Sequence, residues 1–279
     1  MSHLIEIGKV SKYSMIRHTE IKKLVNRDVY KLRKAIQAFN GADGTSFKGS
    51  SLNPNQLSNT FIAVKNNRDN PNRMRNFTIN PKESMAVSFA IDNSGSMSRP
   101  LTKSNEKPYT YTNFTEVCYA MDAMIRAFDM LKIKSEASLV CFETRTVADT
   151  RHIISHAVRF KKPSDRWNDD MLIGLMKNDV WTGTCVDSYA NVAIESVKRM
   201  NATHKVAFLL TDYSDGERIH EIAHEAKALH NINLVCIGVA PSRTQLRYYE
   251  QNLPNCVVGI HADEICRKVI PKIIEVLKK

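Results

Sequence analysis

The 279-residue chain has little of what marks disulfide-rich, membrane-spanning or nucleotide-cradling proteins. Its six cysteines, Cys118, Cys141, Cys185, Cys236, Cys256 and Cys266, are scattered, with no Cys-x-x-Cys pair. That spacing argues against a disulfide framework or a thiolate zinc clasp. Apolar surroundings such as LVCF and LVCIGV predict buried, reduced thiols. No apolar run approaches the ~18–20 residues that cross a bilayer. The opening MSHLIEIGKVSKYS lacks the basic flank and long apolar core of a secretory signal, so a cytoplasmic protein without membrane contact is expected. The GxxxxG spacing in GTSFKGSS (44–51) is not followed by Lys-Ser/Thr, so it is no phosphate-binding loop. No serine in NSGSM sits in a G-x-S-x-G elbow, so no hydrolase nucleophile is expected there.

What is present is a soluble, globular composition, 43% hydrophobic and 25% charged. The net charge of +11 is unevenly spread. Residues 1–80 carry 14 Lys and Arg against 5 Asp and Glu, a net of +9. Residues 81–279 carry 26 against 24, a net of +2. The basic N-terminal segment suits either a solvated helix face or contact with nucleic acid or an acidic partner.

The pattern divides the chain at about residue 80. Val25, Val29, Leu32, Ile36 and Phe39 step by 4, 3, 4 and 3, which predicts an amphipathic helix over 14–39 within a basic extension, 1–80. Residues 40–80, rich in Asn, Ser and Pro, are expected to be irregular loop. In 81–279, strand-like runs at 85–91, 137–142, 146–154, 206–211, 234–239 and 256–260 alternate with helix-like patterns at 114–131, 186–200, 217–230 and 263–277. Asp169 and Asp170 are expected to cap or begin a further helix. Strands separated by helices predict an α/β fold, with a mostly parallel sheet covered on both faces.

Ligands of such sheets sit outside the carboxyl ends of the strands. AIDNSGSM (90–97) places Asp92 at the exit of the first strand, with Ser94 and Ser96 after it. LLTD places Asp212 at another strand end, and WTGTCVDS supplies Thr184, with Thr182 as its nearest rival. These loops would gather two carboxylates and several hydroxyls at one edge. A hard-oxygen set with room for water suits Mg²⁺ better than zinc; Mn²⁺ or Ca²⁺ would also fit.

The D-x-S-x-S of Asp92, Ser94 and Ser96, with Thr184 and Asp212 in following loops, resembles the metal-ion-dependent adhesion site of von Willebrand factor A (vWA) domains. The resemblance implies a Rossmann-like vWA fold for 81–279. It also implies direct Mg²⁺ ligation by the serines and threonine, with the acids acting directly or through water, and an open position for a partner's carboxylate. IDNSGSM, GSSLNPNQLS, VDSYANVAIESVKRM, VAFLLTDYSDGE, NLVCIGVAP and HADEICRKVIPKIIEVL resemble the C-terminal domain of CobT-type cobaltochelatase subunits, over about 48–279. The acidic linker usual in that subgroup is missing. The family often reads T-D-G in its third loop; here Thr211-Asp212-Tyr213-Ser214-Asp215-Gly216 stands there, and Asp215 is the alternative to Asp212. The subgroup implies a non-catalytic adaptor or subunit working with a MoxR- or chelatase-type AAA+ ATPase. A chelatase subunit inserting metal into a tetrapyrrole is the alternative.

Two other classes compete. The basic extension could bind RNA electrostatically. HEIAH (220–224), with His230 beyond it, matches the start of a zinc-protease motif: His220 and His224 would hold zinc, with Glu221 as base. Lys227 replaces the glycine at which the longer motif turns, and an uninterrupted helix carries His230 about 120° away from His224. Ile219, Ile222, Ala223, Ala226 and Leu229 form the buried stripe, so the histidines are expected towards solvent. His152 and His156 read as strand residues. Trp167 and Trp181 read as core, with a partner-binding rim as the lesser alternative. Asp187 reads as a second-layer acid or a first-turn helix charge.

Overall fold

The structure is a computed structural model. It describes residues 44–46, 51–52, 62–63, 65–66, 74–76, 84–98, 112–147, 150–176, 183, 185–212, 218–239 and 243–278. At 44–46, 51–52, 74–76, 142–147, 150–155, 243, 274 and 277–278 it describes the backbone alone. The helix expected over 14–39 lies outside the described residues.

Within 40–80, where loop was expected, three short strands pair antiparallel: β1 (Gly44–Ser46), β2 (Ser51–Leu52) and β3 (Met74–Asn76), in the order β1-β3-β2. Strands of two or three residues are too short to show the alternation by which a strand is read from sequence.

The main sheet has six strands: β4 (Met85–Asp92), β5 (Lys134–Val147), β6 (Thr150–Lys161), β7 (His204–Thr211), β8 (Ile232–Val239) and β9 (Val257–Gly259). Their order is β6-β5-β4-β7-β8-β9. Every neighbouring pair is parallel except the β5–β6 hairpin. The helices are α1 (Asn113–Met130), α2 (Asp169–Met176), α3 (Val186–Lys198), α4 (Ile219–His230), α5 (Arg243–Asn252) and α6 (Ala262–Lys278). This is a Rossmann-like α/β sandwich. The chain leaves β4 towards β5 on one side and later returns to β7 on the other, so the strand order reverses at β4.

The eight residues of β4 are all buried, as are those of β8, because both faces of a parallel sheet are covered. Alternation sorts them. Val87, Phe89 and Ile91 meet α1 and α6, where Phe89 stacks on Phe208 at 5.0 Å between ring centroids. Ala86 and Ala90 face α3, and their small size lets that helix approach closely. Ser88 Oγ donates to the Ala193 carbonyl of α3 at 2.6 Å. Cys118, Cys141, Cys236 and Cys266 are buried, and all six cysteines are free thiols.

Most expected elements are present within a few residues. The departures are instructive. The expected strands 137–142 and 146–154 are two long arms of one hairpin, and its outer part extends past Val140, the residue paired with Asp92. Asp169 and Asp170 do open a helix, α2. The helix α5 was not expected: its sequence, RTQLRYYEQN, is mostly polar, and among its described side chains only Leu246 and Tyr249 are buried. Trp167 is core, its Nε1 donating to Asp122 at 2.6 Å; Trp181 lies outside the described residues. No helix among the described residues is long and apolar enough to cross a membrane.

Candidate metal centre

Four of the five residues singled out in the sequence meet at the carboxyl edge of the sheet. Asp92 ends β4, and the chain turns at once: the Ser94 backbone N–H donates to Asp92 Oδ1 at 2.8 Å. Gly95–Ser98 then winds into a short 3-10 turn, closed by the Met97 N–H on the Ser94 carbonyl. Met97 anchors this turn in the core, fully buried. The turn brings Ser94 Oγ and Ser96 Oγ to 2.9 Å from each other. Ser96 Oγ donates to Asp212 Oδ1 at 2.7 Å, joining the β4 exit to the β7 exit. The bland alternative, a strand-end turn capped by its own aspartate, accounts for the Ser94–Asp92 bond but not for the bridge to Asp212, 116 residues away.

Thr184 and its rival Thr182 lie outside the described residues, as does Asp215. The flanks of Thr184 are described. Gly183 has φ 110°, a conformation that glycine adopts without strain. The Gly183 carbonyl accepts from the buried Tyr189 hydroxyl at 3.1 Å, so α3 holds Gly183. Burial, and then the Asp92 charge, push the Tyr189 phenol up. Asp187 stands in the first turn of α3 and accepts the Arg218 backbone N–H at 3.2 Å, tying α3 to the start of α4.

Three groups the sequence did not reveal complete the cluster. Thr211 Oγ1 donates to Asp92 Oδ2 at 2.7 Å. Asn113 Nδ2, at the first residue of α1, donates to Asp212 Oδ2 at 3.0 Å. The Tyr249 hydroxyl of α5 donates to the Asp212 carbonyl oxygen. Thr211 could have been noticed as the hydroxyl of LLTD; Asn113 and Tyr249 carry no local signal.

The electrostatics are one-sided. Asp92 and Asp212 are both buried, and no Lys or Arg among the described residues pairs with either. Burial is the largest influence on Asp92, raising its carboxyl to about 6; the Thr211 and Ser94 hydrogen bonds oppose this, and the Asp212 charge adds to it. A buried carboxylate without a counter-charge is costly. Ser96 is half-buried, so the cluster can be reached from solvent at that point. Buried acids, neighbouring hydroxyls and no paired cation among the described residues together fit a hard divalent ion. Asp92, Ser94, Ser96 and Asp212 are the oxygen donors present to hold it.

The rival zinc motif is laid out otherwise. His220, His224 and His230 are exposed on α4, as expected; Leu229, expected in the buried stripe, is exposed with them. His220 Nε2 lies 3.1 Å from the Asn252 carbonyl, and Glu221 pairs with Arg218 at 2.9 Å. No cluster of three or more His, Cys, Asp or Glu side chains able to hold a metal occurs among the described residues. His152 and His156 are residues of β6.

No family model and no curated protein matches the chain. Solved structures do resemble it. The D319A mutant of the PilB minor pilin from Streptococcus sanguinis aligns with TM-score 0.50 and 13% identity, over 75% of this chain and 65% of that one. BatB, a conserved hypothetical protein from Bacteroides thetaiotaomicron, aligns with TM-score 0.47 and 11% identity over 70% and 100%. A von Willebrand factor type A protein from Catenulispora acidiphila aligns with TM-score 0.40 and 15% identity over 70% and 43%. At these identities the likeness concerns the fold alone. The fold is the Rossmann-like α/β type that the resemblance to vWA domains implied.

Proposed function

We propose that this chain is a non-catalytic, Mg²⁺-dependent protein-interaction module. The observation that carries this reading is the bridge from Asp92, Ser94 and Ser96 to Asp212, at a strand-order reversal, with no basic residue among the described residues paired to either acid. Asp92, Ser94, Ser96 and Asp212 would hold the ion, with Thr184 as a further donor. When bound, the ion would supply a Lewis-acidic position open to a carboxylate. The chain's own residues do the rest. The Ser94 N–H and the Thr211 hydroxyl orient Asp92, and Ser96, the half-buried member of the hydroxyl pair, is where the cluster meets solvent. A partner's Asp or Glu would complete the shell, so recognition would be metal-bridged.

The resemblance to CobT-type subunits supports a MoxR- or chelatase-type AAA+ ATPase as that partner. Such a motor would use this chain as an adaptor; service in a chelatase for tetrapyrroles is the narrower version of the same reading. Mg²⁺ or Mn²⁺ titration calorimetry of wild type and Asp92→Ala is the direct test, joined to capture of a MoxR-type ATPase with and without EDTA. Metal binding and EDTA-sensitive capture are both expected in wild type and absent in Asp92→Ala. An Asp92→Ala protein that still binds metal and partner would refute the proposal.

A further inference from the structure

Asp212 is held at three points by groups from three different elements. Ser96 takes Oδ1, Asn113 takes Oδ2 and Tyr249 takes the main-chain carbonyl. Only the first belongs to the D-x-S-x-S turn. Asn113 is the first residue of α1, set there by the Thr112 cap, whose side chain accepts the Thr115 N–H at 3.2 Å. It is 1% exposed, and its Oδ1 has no hydrogen-bond partner among the described residues. A buried amide oxygen left without a donor is unfavourable. Here it stands on the same amide group that grips Asp212. Tyr249 is buried as well, with its ring against Gly238 at the end of β8: a Cβ on Gly238 would stand 2.8 Å from Tyr249 Cδ2. Glycine at 238 therefore lets α5 come close enough for the hydroxyl to reach Asp212.

Resting on the metal-binding reading above, we infer that Asn113 and Tyr249 are positioning residues of the centre. Tyr249 fixes the backbone of Asp212. Asn113 fixes its carboxylate and offers Oδ1 as a neutral acceptor for a proton of metal-bound water. Mg²⁺ and Mn²⁺ keep several waters in protein sites, and those waters need acceptors. A neutral amide serves this without adding a third negative charge beside Asp92 and Asp212.

The test uses the full chain and Mn²⁺ alone as probe, comparing wild type, Asp92→Ala, Asn113→Leu and Tyr249→Phe, each first shown folded by circular dichroism. Tyr249→Phe removes a single oxygen and keeps the ring, so it remains informative if Asn113→Leu does not fold. Two readouts are taken: Mn²⁺ affinity, and the electron paramagnetic resonance line shape with water-proton relaxation of the bound ion. Removing such outer partners lowers metal affinity about 10–100-fold. At least about a tenfold loss is expected in both variants. A changed line shape and altered water relaxation at saturating Mn²⁺ are expected in Asn113→Leu, which a purely structural role would not produce. If Asp92→Ala abolishes binding while both variants match wild type in affinity and spectrum, the positioning inference is wrong and the metal centre stands. If wild type itself binds no Mn²⁺, or Asp92→Ala binds as well as wild type, the metal reading falls and this inference with it.

Discussion

The two ends of the central sheet bury charge in opposite ways. At the amino end, Lys161 closes β6 and is fully buried. Its Nζ donates to the carbonyls of Ser135, Asp165 and Lys162 at 3.0, 3.0 and 3.3 Å, and Asp129 Oδ1 stands 3.7 Å away. Burial pushes the Lys161 pKa down, and the Asp129 and Asp165 charges pull it part of the way back up. The cation is matched from within the chain. At the carboxyl end, Asp92 and Asp212 are buried with hydroxyl and amide donors but no cation among the described residues. The first arrangement is finished by folding. The second leaves two acids without a matching cation among the described residues, which is the feature the proposed binding site rests on.

The largest break in this comparison is expected from Lys161→Met. Three carbonyls lose their donor, that of Ser135 in a buried bond, and Asp129 loses its cation, so unfolding stability should fall by about 3–5 kcal/mol. Urea denaturation measures it, and Mn²⁺ affinity measured below the unfolding transition should be unchanged.

Next comes pH, which acts at the other end. Asp92 has its carboxyl raised from 3.8 to about 6 in the fold. Between these values the folded state holds a proton that the unfolded chain does not. The contribution is thus fully present below pH 3.8 and lost as pH rises through about 6. Without metal, wild type should gain up to about 3 kcal/mol relative to Asp92→Asn on going from pH 7 to pH 4. Saturating Mg²⁺ should cancel that gain, because the ion favours the carboxylate. A flat difference between the two proteins across this range would show that Asp92 is not burdened by burial.

Two glycines sharpen the contrast with smaller effects. Gly238→Ala forces its Cβ onto the Tyr249 ring and should cost about 1–3 kcal/mol, along with weaker metal binding. Gly174, in the helix that follows the Lys161 corner, has nothing within 4 Å of an added Cβ. Gly174→Ala should stabilise the protein by up to about 1 kcal/mol and leave metal affinity alone. Thermal melts and Mn²⁺ titrations of both variants check this.

Much of this was legible in the chain. Fully buried parallel strands appear as apolar runs, so β4, β7 and β8 could be read directly. Their carboxyl ends then place Asp92, Ser94, Ser96 and Asp212 at one edge, because parallel strands all point their exits the same way. The exposed histidines of α4 were legible too, since the apolar stripe of that helix occupies the other positions. The extent of the β5–β6 ribbon was not. The length of a hairpin is set by the pairing of its two arms, which no pattern within either arm records.

What the sequence by itself determined is the architecture and the acids and hydroxyls of the site, because hydrophobic periodicity and the exits of parallel strands are local in the chain. What only the tertiary structure decided is how the site is held. Asn113 reaches Asp212 across 99 residues and Tyr249 across 37, from helices whose sequences do not announce them. Only folding decides which side chains meet at such separations, because contact there depends on where whole elements pack and not on the pattern within any one of them.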